Sequence, residues 1–429
     1  MQTEALYQLY KQHPIITTDT RKIEHGSLFF ALKGPRFNGN EYATEALQKG
    51  AEYAVVDEIA DENKANEKLI LVDDVLTSLQ QLANHHRNQM KIPVIAITGS
   101  NGKTTTKELL YQVLSKNYKT FATPGNFNNH IGLPITILQT PAGTEMLILE
   151  MGDNSLGEVD ALCKIANPDL GLITNIGKDH LEGFGSFENN IRAKSELFNY
   201  LIQNGGNAFI PSKDDILFNM SKRFKEPILY GKEGNFSYLK FNEESVYVSF
   251  ETENENTYQS KLFGAFNFAN IEAAWCIGKY FNIPESLLSE AVCNYAPTNN
   301  RSQIVEKGTN TLLLDAYNAN PSSVSAVLQS FINMKNPKQK LAILGDMLEL
   351  GEISSEEHFE IAKQACNAKL TSFFCGSLFF EHKSSFPEAT FFEKKEELAA
   401  FLQKRKLESH FILLKGSRGI KLETLLDYL

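Results

Sequence analysis

Long apolar runs are missing from this sequence, and no stretch approaches the roughly 18 residues that a membrane-spanning helix requires. The first residues, Met1-Gln-Thr-Glu-Ala-Leu-Tyr7, also lack the basic and apolar segments of a signal peptide. We therefore expect neither membrane insertion nor export, and a cytoplasmic location.

Paired cysteines are missing as well. The five cysteines each stand alone, without a Cys-x-x-Cys spacing: Cys163, Cys276, Cys293, Cys366 and Cys375. This pattern argues against a disulfide framework and against a zinc cluster, and it fits a reducing compartment.

The sequence has no excess of basic residues. Its formal net charge is −10, which argues against general nucleic-acid binding, because such binding depends on a basic surface. If the substrates are anions, a few cations must create a local positive field at their site, and Lys103 and Arg301 are the candidates.

A chain of 429 residues is too long for one ordinary domain. Alternating strand and helix patterns predict an α/β fold of three domains, at residues 1–88, 89–297 and 298–429. The predicted helices at the start include 41–49 and 76–89, and a β-ribbon is expected within 235–262. In chain order, the other predicted strands are 27–32, 53–56, 69–72, 94–98, 146–151, 170–175, 208–211, 311–315, 341–344, 371–375 and 410–414.

The segment Thr98-Gly-Ser-Asn-Gly-Lys-Thr-Thr-Thr106 has the pattern of a phosphate-binding loop, between a buried strand and the start of a helix. Gly99 and Gly102 allow the backbone to curl, so that several N–H groups and the helix start point at one anion. Lys103 adds a cation for the outer phosphates, and Thr104 offers a hydroxyl to Mg²⁺. We therefore predict nucleotide binding at this loop.

Two further candidates follow neighbouring strands of the same predicted sheet. Glu150 ends the strand 146–151, where a carboxylate faces the loop and can take Mg²⁺, although a strand-end glutamate can also simply be solvated. His180 follows the next strand; alone it would be read as an ordinary polar residue, and its place at this sheet edge favours a ligand. Lys194 lies on a predicted helix, and its spacing does not distinguish it from a surface lysine.

The third predicted sheet also carries polar motifs at its strand ends. Asp315 and Tyr317-Asn-Ala-Asn-Pro321 follow one strand, and Gly345-Asp-Met-Leu-Glu-Leu-Gly351 follows another.

Within Gly264–Asn270, the asparagines either cap a helix or meet a base edge. The tract Thr18-Asp-Thr-Arg21 taken alone reads as a surface turn.

Together these motifs resemble the Mur ligases, ATP-dependent amide-forming enzymes of peptidoglycan synthesis. Within that family, the chain is similar to the branch that adds D-alanyl-D-alanine to UDP-N-acetylmuramoyl-tripeptide. The resemblance covers nearly the whole chain and is carried by Asp19-Thr-Arg21, the loop at 98–105, Gly125-Asn-Phe-Asn-Asn129, Glu150, Asn175-Ile-Gly177, His180, Ala193-Lys194, Tyr317–Pro321, Gly345–Gly351 and Lys415-Gly-Ser-Arg418.

The resemblance implies a set of roles for individual residues. The catalytic set is Lys103, Glu150, His180, Lys194 and Arg301. The ATP-binding set is Gly99, Ser100, Asn101, Gly102, Lys103, Thr104, Thr105, Asn129, Asn267, Asn270, Arg301 and Asp315, with either Asn267 or Asn270 at the adenine. Two Mg²⁺ ions are implied, held by Thr104, Glu150, His180 and a carbamylated Lys194. The substrate set is Thr20, Arg21 and Ser27 for the uridine nucleotide, and Asn318, Asn320 and Arg418 for the dipeptide.

The resemblance also implies a fold and a reaction. The fold is a central P-loop parallel sheet flanked by helices, with a small N-terminal α/β domain and a Rossmann-like C-terminal domain. The tripeptide carboxylate attacks the γ-phosphate of ATP to give an acyl phosphate, which the amine of the dipeptide then displaces. We expect a monomer with no nucleic-acid partner. Three positions depart from the family pattern: Leu314 beside Asp315, Phe266, and Asn38-Gly-Asn40.

Two other functions fit parts of the sequence. Folylpolyglutamate synthetase shares the ligase core, but it usually lacks a separate uridine-nucleotide domain, which residues 1–88 match here. A non-catalytic ATP-binding regulator could keep the fold, but intact Lys103, Glu150, His180 and Lys194 argue for catalysis.

Overall fold

Three helix-covered sheets follow one another along the chain, which confirms the predicted α/β class. The computed structural model describes residues 2–63, 65–242, 246–298 and 300–429. We call the three parts built on these sheets the N-terminal, central and C-terminal units.

The N-terminal unit is a parallel sheet of four strands in the order β1-β2-β5-β6. Its elements are α1 (Thr3–Gln12), β1 (Ile16–Thr17), β2 (Leu28–Phe30), β3 (Lys33–Gly34), β4 (Phe37–Asn38), α2 (Ala43–Gln48), β5 (Tyr53–Val56), β6 (Leu69–Leu71) and α3 (Val75–Gln89). Short 3-10 turns lie at Thr20–Lys22, Gly39–Tyr42 and Asp61–Asn63. The helix predicted over 41–49 thus begins with a 3-10 turn, because the side chain of Asn38 accepts from the N–H of Asn40 and tightens the chain there.

The central unit is a six-stranded parallel sheet in the order β12-β11-β10-β7-β9-β8. Its elements are β7 (Val94–Thr98), α4 (Lys103–Leu114), β8 (Thr120–Ala122), α5 (Gly132–Leu138), β9 (Met146–Glu150), α6 (Glu158–Ala166), β10 (Leu170–Ile173), α7 (Leu181–Phe184), α8 (Phe187–Asn204), β11 (Asn207–Pro211), α9 (Asp215–Ser221) and β12 (Ile228–Tyr230). The predicted ribbon is a three-stranded antiparallel sheet of β13 (Leu239–Asn242), β14 (Tyr247–Thr252) and β15 (Thr257–Phe263), followed by a 3-10 turn (Ala265–Asn267), α10 (Phe268–Tyr280) and α11 (Glu285–Asn294).

The C-terminal unit is a six-stranded sheet in the order β16-β17-β21-β18-β19-β20, in which only the pair β16 and β17 is antiparallel among the described strands. Its elements are β16 (Gln303–Lys307), β17 (Asn310–Asp315), α12 (Pro321–Asn333), β18 (Gln339–Gly345), α13 (Ser354–Asn367), β19 (Thr371–Cys375), α14 (Ser377–Phe380), β20 (Thr390–Phe392), α15 (Lys395–Lys404) and β21 (His410–Lys415). Short 3-10 turns lie at Gly351–Ile353, Lys383–Ser385, Arg418–Ile420 and Leu422–Tyr428.

Strand β7 is buried on both faces, as a central parallel strand should be. Val94 and Ala96 face a core that also contains side chains of α1 and α3 from the N-terminal unit. Ile95 and Ile97 face the opposite core, formed with α4, α10, α11 and the three-stranded sheet. The N-terminal and central units therefore share one continuous hydrophobic core across residue 88.

A buried arginine reinforces this junction. Arg87, in the last turn of α3, donates to the carbonyls of Ala166 and Asn167, each over 2.9 Å, at the end of α6. It also pairs with Asp169 at 2.9 Å. The guanidinium thus satisfies carbonyl groups that the end of a helix leaves without partners.

The parallel strands of the central sheet end at one edge, which is where side chains from different loops come together. In the part of the chain that the structure describes, no helix combines the length and the apolar character needed to cross a membrane.

Candidate active site

A cleft of about 750 Å³ lies at the carboxyl ends of the central strands, against the C-terminal unit. It is lined by residues of the loops after β7, β9 and β10, by the start of α10, and by the loop after β17. Of the predicted site residues, it brings together Ser100, Asn101, Gly102, Lys103, Thr104, Thr105, Asn129, Glu150, His180, Asn267, Asn270, Arg301, Asp315 and Asn318. The other predicted site residues do not line the cleft. Four lie behind or beside its wall: Gly99, Lys194, Asn320 and Arg418. Three lie in the N-terminal unit: Thr20, Arg21 and Ser27.

The phosphate loop is held open by the strand next to it. The N–H of Asn101 donates to the side chain of Asn175 over 3.0 Å, and the Asn175 amide donates back to the Asn101 carbonyl over 2.9 Å. The Thr174 hydroxyl also donates to that carbonyl, over 2.6 Å. These bonds hold the loop in a curled conformation.

Both glycines of the loop are required by its geometry. Gly99 has φ +136° and Gly102 has φ +82°, values that favour glycine. A Cβ atom on Gly99 would collide with Thr174, and one on Gly102 would collide with the side chain of Asn270. The loop, β10 and α10 therefore pack against one another through the glycine backbone.

Lys103 begins α4 directly after the loop. Its Nζ atom donates to the carbonyl of Gly99, and a second contact reaches the Ser100 carbonyl at 3.4 Å. Burial, and after it the nearby ammonium of Lys194, lowers the pKa of Lys103. The lysine is therefore poised beside the loop where an arriving phosphate would give it a stronger partner.

Glu150 is buried at the end of β9 and faces Thr104. Its Oε1 atom accepts from the Thr104 hydroxyl over 3.1 Å and from the Asn128 amide over 2.8 Å. Its Oε2 atom is 3.4 Å from Nζ of Lys107 but has no hydrogen-bond partner among the described residues. A buried carboxylate oxygen without a hydrogen bond, beside a hydroxyl, is a suitable place for a cation.

Lys194 is fully buried on α8, with its ammonium between two carboxylates. Its Nζ atom lies 2.9 Å from both oxygens of Asp153 and 3.4 Å from Oδ2 of Asp179. Burial by itself raises the pKa of Asp179, but Lys194 and Lys103, together with hydrogen bonds from Ser100 and Asn190, bring it below its usual value. Asp179 is thus held as a carboxylate inside the protein.

His180 adopts a left-handed backbone conformation, with φ +47°. Its Nδ1 atom lies 2.6 Å from a carboxylate oxygen of Glu349, in the loop after β18. The neighbouring Lys178 pairs with Glu357 at 2.6 Å. The loop after β10 therefore docks on the C-terminal unit.

Asn267 and Asn270 both line the cleft beside the loop. The Asn270 amide donates to the Asn267 side chain over 2.9 Å, and Asn270 accepts from the Thr106 hydroxyl over 3.1 Å. The Asn267 amide donates to the Phe263 carbonyl over 2.8 Å. The helix-cap alternative is wrong, because neither asparagine side chain accepts from an N–H group of the first turn of α10. Contact with a base stays a prediction.

The C-terminal wall of the cleft is cationic and aromatic. The guanidinium of Arg301 stacks 3.7 Å from the ring centroid of Tyr317, and that of Arg418 lies 5.3 Å from the same centroid. Asp315 is oriented by the Ser302 N–H over 3.0 Å and by the ammonium of Lys415 at 2.8 Å. These groups present positive charge and one fixed carboxylate to the cleft.

The two units also meet directly at the phosphate loop. The Asn320 amide donates to the side chain of Asn101 over 2.9 Å, and the Asn101 amide donates to the Ser322 hydroxyl over 3.1 Å. The Asn320 side chain at the same time caps α12, accepting from the Ser323 N–H over 2.8 Å. Asn320 therefore acts as a bridge more than as a free binding group.

The uridine-nucleotide residues predicted in the N-terminal unit lie apart from the cleft. Arg21 is exposed and pairs with Asp19 at 2.7 Å. Thr20 is half-buried, and its carbonyl accepts from Lys49 over 3.3 Å. The Ser27 hydroxyl is buried and has no hydrogen-bond partner among the described residues. Their role stays a prediction.

Comparisons with known proteins agree with this architecture. Three family models match in succession: "Mur ligase family, catalytic domain" at residues 14–87, "Mur ligase middle domain" at 97–278 and "Mur ligase, glutamate ligase domain" at 300–418. A protein of Bacillus subtilis (strain 168), named UDP-N-acetylmuramoyl-tripeptide--D-alanyl-D-alanine ligase, is 36% identical over 95% of this chain and 91% of its own length. The chain belongs to the Mur ligase family.

Solved structures of Mur ligases superpose on the whole molecule. MurF from Acinetobacter baumannii has a TM-score of 0.86 and 29% identity, covering 96% of this chain and 92% of that one. The MurF ligase from Thermotoga maritima in complex with ADP has a TM-score of 0.84 and 29% identity, covering 96% of both chains. The three-domain Mur ligase fold implied by the sequence is thereby confirmed.

Magnesium fits one part of this Mur ligase cleft. Among the described residues, no three His, Cys, Asp or Glu side chains converge as a metal cluster. Mg²⁺, however, usually takes one or two protein oxygens and completes its shell with water and phosphate. The Thr104 hydroxyl and Oε2 of Glu150, which has the Lys107 ammonium at 3.4 Å but no hydrogen bond among the described residues, meet that requirement.

Several residues at or near the cleft were given no role by the sequence. Asn175 and Lys415 stand within quoted motifs, and Asp153, Asp179 and Lys107 were not singled out. Three of them contact residues that are far away in the sequence. Asp153 pairs with Lys194, Asp179 accepts from the Ser100 hydroxyl, and Lys415 pairs with Asp315. Only the fold brings them together.

Proposed function

We propose that the chain is an ATP-dependent ligase that joins D-alanyl-D-alanine to the terminal carboxylate of UDP-N-acetylmuramoyl-tripeptide, completing the pentapeptide precursor of peptidoglycan. The observation that carries the proposal is the 36% identity to a ligase of that name over 95% of the chain, together with an intact phosphate-loop cleft. Solved relatives include one in complex with ADP, which supports ATP as the phosphate donor.

The reaction has two steps. A carboxylate is a poor electrophile, so an oxygen of the tripeptide carboxylate first attacks the γ-phosphorus of ATP, giving an acyl phosphate and ADP. The neutral amine of the dipeptide then attacks the acyl carbon; the tetrahedral intermediate expels inorganic phosphate, and the amine loses a proton. The first step brings two anions together, and the second develops an oxyanion beside the phosphate, so both steps require positive charge at the cleft.

We assign the triphosphate to the amides of Gly99–Thr105 and to Lys103, with Arg301 reaching it from the other wall. The nucleotide site is completed by Asn129, Asn267, Asn270 and Asp315. Either Asn267 or Asn270 contacts the adenine. The ammonium of Lys103 donates to a loop carbonyl. A phosphate oxygen is a stronger acceptor because it is charged, so we expect Lys103 to donate to the phosphate when ATP binds.

We assign Mg²⁺ to Thr104 and Glu150, and a second Mg²⁺ to the side of the cleft that carries His180. Mg²⁺ bound there neutralises the charge that develops on the transferred phosphoryl group. The family resemblance gives Lys194 a carbamate as a further ligand. Lys194 lies behind the cleft wall, and its nitrogen is beside Asp153, which lines the cleft.

We assign the uridine nucleotide to the first predicted domain, residues 1–88, with Thr20, Arg21 and Ser27 among its contacts. ATP binds in the domain of residues 89–297, with Arg301 and Asp315 contributed by residues 298–429. The dipeptide binds in the domain of residues 298–429, where Asn318, Asn320 and Arg418 are the proposed contacts. A guanidinium can hold the dipeptide carboxylate with two parallel bonds, and stacking of Arg418 on Tyr317 supports a fixed orientation. We also propose that the protein acts as a monomer.

Phosphate release from ATP tests the proposal. The purified protein is assayed with each substrate alone and with both, using tripeptides that contain either lysine or meso-diaminopimelate at the third position. We expect release only with both substrates, together with a pentapeptide product in the mass spectrum. Retained ATP binding without turnover for either tripeptide would contradict the ligase and favour a regulator. Turnover with folates and glutamate would favour the folylpolyglutamate synthetase activity.

A further inference from the structure

The loop after β18 carries the motif Gly345–Gly351, in which one apolar side chain points outward. Met347 and Leu350 are buried in the core of the C-terminal unit, whereas Leu348 between them is 41% exposed. A single exposed leucine is common on protein surfaces. Leu348 differs from such a residue because its backbone is fixed and because it lies beside a proposed substrate contact.

Hydrogen bonds hold the backbone around Leu348. Its N–H donates to the Ser417 hydroxyl over 2.9 Å, and the N–H of Met347 donates to Nε2 of His358 over 3.0 Å. In return, the N–H of Ser417 donates to the carbonyl of Asp346 over 3.1 Å. Since β18 and β21 are paired neighbours, the loops that follow them form one fixed surface.

Leu348 packs directly beside Arg418 on this surface. A Cβ atom on Gly419 would lie 2.9 Å from Cδ1 of Leu348, so the leucine side chain covers the residue that follows Arg418. The guanidinium of Arg418 lies 5.3 Å from the ring centroid of Tyr317, which lines the cleft. The strand order β17-β21-β18 therefore places an aromatic ring, a cation and an apolar side chain next to one another, from the cleft outward.

The chemistry of the dipeptide matches this order. Its amine must reach the acyl phosphate in the cleft, so its carboxylate end points away from the phosphate loop. On a C-terminal alanine, the carboxylate and the methyl group are attached to the same carbon atom. A group that contacts the methyl must therefore be a neighbour of the group that holds the carboxylate, and Leu348 is such a neighbour of Arg418.

We propose that Leu348 determines specificity for the incoming dipeptide, by contacting the methyl group of the D-alanine whose carboxylate Arg418 holds. The inference rests on the proposed ligase function and adds a contact to its dipeptide site. The contact removes apolar surface of both partners from water, and it is lost when either the leucine side chain or the substrate methyl is removed.

A cycle of enzyme and substrate changes tests this contact. The probes are D-alanyl-D-alanine and D-alanyl-glycine, which lacks the methyl group. We expect the wild type to prefer D-alanyl-D-alanine about tenfold in kcat/KM, and Leu348→Ala to retain a preference of only about twofold, with KM for ATP unchanged. Equal preferences in the two proteins would overturn the proposal.

The matched control is Leu71→Ala, which shortens another exposed leucine in the N-terminal unit. It should keep the wild-type preference between the two dipeptides. A preference that falls as far in Leu71→Ala as in Leu348→Ala would show that the change does not come from a contact at the dipeptide, and would also overturn the proposal.

A longer dipeptide provides a test by gain of activity. D-alanyl-D-norvaline carries a propyl group where D-alanyl-D-alanine carries a methyl, and the space vacated in Leu348→Ala can accept it. We expect the ratio of kcat/KM for D-alanyl-D-norvaline to that for D-alanyl-D-alanine to rise about tenfold in the variant. Damage to the fold lowers both rates and cannot raise this ratio. An unchanged ratio would contradict the contact.

This proposal and the ligase assignment fail in different ways. Turnover of D-alanyl-D-alanine by the wild type, with the same dipeptide preferences in Leu348→Ala, would overturn the role of Leu348 and leave the ligase intact. Absence of turnover by the wild type with every dipeptide would overturn both.

Discussion

The side-chain amide of Asn320 donates to the side-chain oxygen of Asn101 over 2.9 Å, and thereby connects the C-terminal unit to the phosphate loop. Since Asn320 also caps α12, two functions meet in one side chain: it stabilises a helix and it joins two units of the enzyme. Substitutions can separate these functions.

Replacement of Asn320 by serine should keep the helix cap and lose the bridge, because serine caps helices well but is too short to reach Asn101. We expect Asn320→Ser to unfold at nearly the wild-type temperature and to lower kcat/KM for ATP about threefold to tenfold, the effect of one hydrogen bond. Asn320→Ala should lose both functions. In an Asn101→Ala background, Asn320→Ser should have little further effect, and an equal additional loss there would contradict the bridge.

Gly102→Ala should damage ATP binding beyond the cost of backbone strain. Gly143 provides a matched control, because its φ is +80° against +82° for Gly102, and a Cβ atom there would meet nothing within 4 Å. We expect both variants to lose about 1–2 kcal/mol of unfolding free energy from the left-handed backbone. Only Gly102→Ala should weaken ATP binding in calorimetry, because it displaces Asn270. Equal ATP affinity in the two variants would contradict this contact.

Glu272 should make stability depend on pH. Burial raises its pKa to about 7 from 4.5, despite its ion pair with Lys213 at 2.9 Å. Because the folded state holds the proton more tightly, its contribution to stability is fully present below pH 4.5 and is lost as pH rises through about 7. The full effect is about 3 kcal/mol, at roughly 1.4 kcal/mol per pKa unit.

Urea unfolding of Glu272→Gln between pH 5 and pH 8.5, against the wild type, measures this effect. We expect the wild type to lose more stability than the variant over this range, since glutamine cannot ionise. Glu290→Gln, which removes a carboxylate from an exposed pair with Lys116, should follow the wild-type curve. Parallel curves for all three proteins would show that Glu272 does not titrate in this range.

Arg87→Met should destabilise the junction of the N-terminal and central units. It leaves the carbonyls of Ala166 and Asn167 without their partner, for which we expect a loss of about 1–3 kcal/mol. Arg192→Met, at an exposed position of α8, should stay within about 0.5 kcal/mol of the wild type. Chemical unfolding of both variants gives the comparison, and similar losses would refute a special role for Arg87.

The sequence predicted the strongly patterned strands residue for residue. Those at 53–56, 94–98 and 371–375 coincide with β5, β7 and β19. These are buried apolar runs bounded by turn residues, so local composition determines them. Seven short or edge strands were missed: β1, β3, β4, β8, β12, β16 and β20. They have two to five residues and depend on pairing with a neighbour that the local sequence does not reveal.

The same distinction applies to the cleft. Lys103 and Thr104 were predictable because the loop and the helix that position them are contiguous in sequence. Asp153 and Asp179 were not, because an aspartate after a strand looks the same whether it is solvated or pairs with a buried lysine. The ion pair between Asp153 and Lys194 spans 41 positions of the chain, so it exists only in the folded protein.

The hydrophobic core shared by the N-terminal and central units determines where the molecule can bend. Separating these two units would expose apolar side chains of α1, α3 and the central sheet to water, at a cost that grows with the exposed area. At the cleft, by contrast, the C-terminal unit is held by polar bonds such as those of Asn320 and His180, for which water is a ready substitute. Phe263 of β15, which is buried in the C-terminal core, keeps the two units in contact away from the cleft. Opening should therefore break the polar bonds first, and products should leave through the gap beside the phosphate loop.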